Sequence, residues 1–128
     1  MGIVGHGIDL AEVARIAQMR AEHEEHFLNR CFTAAEQAYC LSYRDADIHF
    51  AGRFAAKEAV LKVLGTGLRG QISWMDMEIV NDAAGKPGVT LTGECARIAA
   101  ELGIEKWHLS ITHTGGVAMA SAIGESTT

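Results

Sequence analysis

The chain has 128 residues, a formal net charge of −5 at pH 7, 48% hydrophobic and 21% charged residues. That length and balance suit one soluble domain around a single core, and the acidic sum excludes a general nucleic-acid binder, which needs a basic surplus. No run of about 18 apolar residues exists, so nothing reads as a membrane span, and three scattered cysteines, Cys31, Cys40 and Cys95, exclude a disulfide framework.

The elements follow in chain order. Ile3 to Ile8 is short, apolar and β-branched, and reads as a strand. Its flanks carry Asp9 and Glu12 and no basic leader, so the segment is no signal peptide, and the protein is expected in the cytoplasm. Leu10, Val13, Ile16 and Ala17 recur at helical spacing, which makes Asp9 a candidate N-cap. A second helix is expected around Glu24 to Arg30. Thr33-Ala-Ala-Glu36 is a capping box opening a third helix that runs to about Tyr43. Asp45 or Asp47 caps the next, which runs to Leu64 and stops at Gly65. Met75 to Val80 and Val89 to Leu91 read as a hairpin around the Asn81 to Gly88 turn. A helix from Gly93 to Leu102 follows, then strands over Trp107 to Thr112 and Val117 to Ile123. The expectation is one domain over 1–124 and a polar, fraying tail over 125–128.

The charge is unevenly spread. Residues 51 to 70 hold Arg53, Lys57, Lys62 and Arg69 against Glu58 alone, a basic island in an acidic chain. On the helix, Ala56, Ala59, Val60 and Val63 form an apolar stripe, and Phe54, Glu58 and Lys62 follow one another at i, i+4 on a neighbouring face. Two carboxylates beside cations suit magnesium, which takes one or two carboxylates plus water and phosphate oxygens. Asp9 and Glu58 are the candidates, with the backbone amides of Gly65-Thr66-Gly67 as phosphate donors. The loop is not a Walker A motif. On spacing alone Glu58 and Lys62 read equally as a solvated ion pair. His113 ends an apolar strand before Gly115-Gly116 and reads as a phosphate donor, a proton carrier or a backbone-bonded histidine. The other histidines have no ligand-like spacing, and Trp74 and Trp107 read as packing residues.

Three motifs in order make the sequence recognisable: Gly7-Ile8-Asp9 with Arg15; Arg53-Phe-Ala-Ala-Lys-Glu-Ala59 with Lys62 and Gly65-Thr-Gly67; and Leu109-Ser-Ile-Thr-His113. Together they resemble the holo-acyl-carrier-protein synthases, the short bacterial type of 4′-phosphopantetheinyl transferase. The resemblance implies an α+β fold, an antiparallel sheet packed against helices. It implies transfer of the 4′-phosphopantetheine arm of coenzyme A to a serine of an apo acyl carrier protein, with adenosine 3′,5′-bisphosphate leaving.

Carried over residue by residue, it makes Asp9 and Glu58 the magnesium ligands and catalytic residues, and Lys62 a phosphate contact. Glu58 is the preferred base for the serine hydroxyl, directly or through a water. The coenzyme A site takes Arg53, Lys57, Lys62, Gly65, Thr66, Gly67, Ser110, His113 and Thr114. The short form is a homotrimer with sites between protomers, so His113 would face a neighbour's Asp9 and Glu58. Family members dock carriers on the first helix with basic and apolar residues, matched by Arg15, Met19 and Arg20. Beyond these the chain departs from the pattern with Glu22, Glu24 and Glu25 beside His23 and His26. The alternatives are a magnesium-dependent nucleotide hydrolase and a binding module without chemistry; the latter predicts a lost carboxylate, yet both carboxylates are present.

Overall fold

The computed structural model describes residues 2–128; Met1 lies outside the described residues. In chain order the elements are β1 (Gly2–Glu12), α1 (Val13–Cys31), α2 (Ala34–Leu41), α3 (Ala46–Leu64), a single 3-10 turn (Trp74–Asp76), β2 (Met77–Asn81), β3 (Pro87–Leu91), α4 (Gly93–Glu101), β4 (Lys106–Thr114) and β5 (Val117–Ser126). Two antiparallel sheets form: β1-β5-β4 with β5 central, and the β2-β3 hairpin. The α+β expectation is met.

One helix organises the core. α3 packs on β1, β4 and β5, and its other sides meet α1, α2 and β2. Side chains alternate across each strand, so one face of the larger sheet carries Ala11, Leu109, Ala118, Ala120 and Ala122, all buried. Against them α3 sets Ala55, Ala56 and Ala59, which are wholly enclosed. Small residues on both sides let helix and strands approach closely. Closest of all is Gly7, where an added Cβ would stand 2.0 Å from the Ala59 carbonyl oxygen. At the far end Gly65 takes φ 77° and its amide closes the helix on the Leu61 and Lys62 carbonyls, as expected of a C-terminal glycine. The Thr33 capping box is also present: the Glu36 amide donates to Thr33 Oγ1 at 3.2 Å and the Thr33 amide to Glu36 Oε1 at 2.8 Å.

Three boundaries differ from expectation. Asp9 is not an N-cap: β1 continues to Glu12, because pairing with β5 runs unbroken from Gly5↔Gly124 to Glu12↔Val117, and the helix opens only at Val13. The two helices expected over Leu10 to Arg30 are one, α1, kinked at His23 (φ −140°, ψ 42°). The tail does not fray at 125: Glu125 pairs with Lys106, Ser126 with Gly2, and the Thr127 amide donates to Glu105 Oε1 at 3.0 Å. A central strand is held from both sides, and that carries it past the apolar residues which marked it in the sequence. Among the described residues no helix is long and apolar enough to cross a membrane.

Candidate active site

Asp9 projects from the α3-facing side of β1, opposite Ala120, two residues after the Gly7 contact. That contact brings strand and helix together where α3 presents Glu58 and Lys62. Lys62 Nζ donates to Asp9 Oδ1 at 3.2 Å and to the Ile8 carbonyl at 2.7 Å, and half of its side chain stays exposed. Glu58 lies one turn earlier. Burial, and then the negative charge of Asp9, push its carboxyl above the ordinary glutamate value, while Lys62 pulls it down. The two carboxylates therefore share one local field. They line a cavity of about 370 Å³ together with Arg15, Met19, Phe27 and Phe54.

The donor set fits a hard divalent ion. Among the described residues no three His, Cys, Asp or Glu side chains converge, so no all-protein cage such as zinc favours exists. Two carboxylates opening on a cavity match magnesium, whose other ligands come from water and substrate phosphates. The loop behind α3 adds a second feature. Gly65 and Gly67 both take left-handed backbone (φ 77° and 63°), and between them the buried Thr66 Oγ1 finds no hydrogen-bond partner among the described residues. Such a hydroxyl is open to a ligand oxygen or a water.

The basic island does not act as one unit. Successive residues turn by about 100° on a helix, so Arg53 and Lys57 face away from Glu58 and Lys62. Lys57 was expected to line the coenzyme site; the structure corrects this. Its side chain is 0% exposed, and its three donors go to Glu36 Oε1 at 2.7 Å, the Cys31 carbonyl at 2.8 Å and the Trp74 carbonyl at 3.2 Å. Burial pulls its ammonium below the ordinary lysine value, and the Glu36 carboxylate opposes this. Arg53 is buried too, with its guanidinium 4.0 Å above the Tyr39 ring and Nη2 donating to Asn81 Oδ1 at 3.0 Å. Burial, then the Arg53 and His113 charges, hold the nearby His49 below its ordinary value.

His113 is exposed on β4, two strands from Asp9, a lateral separation of about 10 Å at ordinary strand spacing. Ser110 points from the opposite face of the sheet, in the row of Ser121 and Ile8. Thr114 ends β4. These three do not line the Asp9–Glu58 cavity of their own chain. Of the docking residues, Arg15 and Met19 line that cavity and Arg20 does not. Its Nε donates to Asp47 Oδ1 at 2.7 Å and its Nη1 to Glu24 at 3.2 Å, which ties α1 to the first turn of α3. Sequence reasoning missed Phe27, which carries no motif, and the role of Glu36. Beyond its capping box, Glu36 receives the Ile79 amide at 2.7 Å as well as Lys57.

The sequence and the fold are both similar to those of known proteins. Residues 5–120 match the family model described as the 4'-phosphopantetheinyl transferase superfamily. A holo-[acyl-carrier-protein] synthase from Geotalea daltonii is 46% identical over 123 residues, spanning 96% of this chain and 98% of its relative. Among solved structures, the holo-[acyl-carrier-protein] synthase of Neisseria meningitidis superposes with a TM-score of 0.87 at 31% identity, covering 97% of this chain and 99% of that one. The Bacillus anthracis synthase, solved in complex with CoA (3',5'-ADP), superposes at 0.80 with 35% identity, covering 99% and 100% of the two chains.

Proposed function

Because the chain belongs to the 4'-phosphopantetheinyl transferase superfamily, we propose that it transfers the 4′-phosphopantetheine arm of coenzyme A to a serine of an apo acyl carrier protein. The observation that carries this reading is the meeting of Asp9, Glu58 and Lys62 at one cavity. The serine oxygen bonds to the phosphorus that bears pantetheine. The bond from that phosphorus to the adenosine-side oxygen breaks, and adenosine 3′,5′-bisphosphate leaves. Glu58 takes the serine proton, directly or through a water. Lys62 steadies Asp9 and keeps an exposed ammonium for a phosphate oxygen. The Gly65–Gly67 loop and Thr66 hydroxyl receive further phosphate. Asp9 and Glu58 would hold magnesium, which would neutralise charge developing on the leaving phosphate.

The same reading assembles the chain as a homotrimer with its sites between protomers, working in the cytoplasm. It is supported by the uncovered face of the β1-β5-β4 sheet, where Ile8 and Leu10 are 49% and 65% exposed beside Met119 and Ile123. It is supported also by the distance of His113 from Asp9 in one chain. In the trimer Ser110, His113 and Thr114 complete the coenzyme A pocket of a neighbour.

The test is to incubate the protein with apo carrier, coenzyme A and magnesium and to weigh the carrier. A gain of about 340 Da, the covalent phosphopantetheine group, is expected; an unchanged mass with coenzyme A consumed points instead to hydrolysis. Asp9→Ala and Glu58→Ala each abolish the magnesium-dependent gain while circular dichroism stays native. Full activity in both variants removes this site assignment.

A further inference from the structure

We infer that Lys62 is an internal counter-ion that competes with magnesium for Asp9, so that coenzyme A, by drawing the Lys62 ammonium onto its phosphates, opens the site to the metal. The inference rests on the transferase reading above and assigns the order in which that site is filled.

Lys62 Nζ has two acceptors among the described residues, the Ile8 carbonyl at 2.7 Å and Asp9 Oδ1 at 3.2 Å. The shorter contact is to the backbone of β1, which anchors the ammonium beside the carboxylate. An ammonium carries three donors, so one is left for a ligand. Lys62 also acts by charge on Glu58, one turn earlier on α3. A single cation thus offsets part of the charge on both carboxylates. The position of the ion pair matters as well. Asp9 and Leu10 line both the Glu58 cavity and a second hollow of about 380 Å³, which Lys62 lines with Ile8 and Met119. A phosphate entering that second hollow reaches Lys62 without crossing the two carboxylates.

The charges set the sign of the coupling. Magnesium is drawn by anionic oxygen, and an ammonium on Asp9 both weakens that attraction and repels a doubly charged ion. The Lys62–Asp9 contact is a single hydrogen bond with half of the lysine side chain in solvent, so it breaks at small cost. A pyrophosphate carries more charge than one carboxylate and holds the ammonium more strongly. Once Lys62 turns to it, Asp9 regains its full charge, and the phosphates add oxygen donors for the same ion. Coupling of this kind is reciprocal, so magnesium raises coenzyme A affinity by the same factor. Arg15 supplies a control, because it lines the Asp9–Glu58 cavity but enters no ion pair among the described residues.

The experiment titrates magnesium chloride by calorimetry into the full chain, alone and with coenzyme A saturating. Lys62→Gln is expected to tighten magnesium binding to the protein alone by at least about tenfold, the scale of one unit charge facing a doubly charged ion at contact range in a solvent-screened site. The gain that coenzyme A adds to magnesium affinity shrinks in the same variant. Lys62→Arg keeps the charge and binds magnesium as the wild type does, and Arg15→Gln shifts the affinity less than Lys62→Gln. If Lys62→Gln leaves magnesium affinity unchanged or weakens it, Lys62 only holds Asp9 in place and the inference is overturned, while a mass gain on the carrier keeps the transferase reading. An Arg15→Gln effect equal to that of Lys62→Gln overturns it too, since the general field of the cavity then suffices. Absence of any mass gain on the carrier with wild-type protein removes the transferase reading and the inference with it.

Discussion

Lys57 and Lys62 lie five positions apart on α3, one sealed and the other at the edge of the cavity. In sequence they belong to the same basic island. In the fold, Lys57 fills all three donor positions inside the core, one of them on the Glu36 carboxylate, and Lys62 keeps half its side chain in solvent. Local spacing could not separate them, because the partner that claims Lys57 sits 21 residues away on α2. Glu36 likewise read as a helix cap and proves to join α2, α3 and β2. Removing one member of a buried pair leaves the other charged and unpaired. Lys57→Met is therefore expected to lower stability by about 3–5 kcal/mol, read as a shift of the urea midpoint. Because the Glu36 carboxylate also serves two backbone amides, Lys57→Met with Glu36→Gln recovers part of that loss. A Lys57→Met protein as stable as wild type, with weakened coenzyme A binding, restores the ligand role that the structure withdraws.

At the scale of elements, α3 and β1 build the site by proximity. The apolar stripe of α3, its Gly65 stop and the Thr33 capping box were legible in the sequence, since each is a local pattern with a local cause. The length of β1 was not. Leu10, Val13, Ile16 and Ala17 fit a helix, and only pairing with β5 as far as Val117 holds Asp9 and Leu10 in a strand. Asp9 consequently faces α3 through strand alternation and not through a cap. The approach depends on Gly7. In Gly7→Ala the new methyl would meet the Ala59 carbonyl oxygen at 2.0 Å, so strand and helix must separate. The expected cost is about 1–3 kcal/mol, with a larger fall in kcat as Asp9 withdraws from Glu58 and Lys62. A Gly7→Ala enzyme with normal kcat would show that the site tolerates a wider gap than the packing implies.

At the scale of the molecule, the β1-β5-β4 sheet covers one face with α3 and leaves the other open, with Ile8, Leu10 and Met119 in adjoining rows. Trimer assembly on that face predicts that Leu10→Lys yields monomers by sedimentation and loses transfer activity together with assembly. A fully active monomer would place the complete site within one chain. The sequence by itself determined most of the elements, the α+β class and the family, because those rest on short-range periodicity and on motif residues adjacent along the chain. Only the tertiary structure decided which cations remain available. Burial claimed Lys57, Asp47 and Glu24 claimed Arg20, and Tyr39 with Asn81 claimed Arg53. It also set His113 two strands from Asp9. The reason is physical. A charge is free or spent according to what packs against it, and those neighbours lie on other elements, at separations no local pattern encodes.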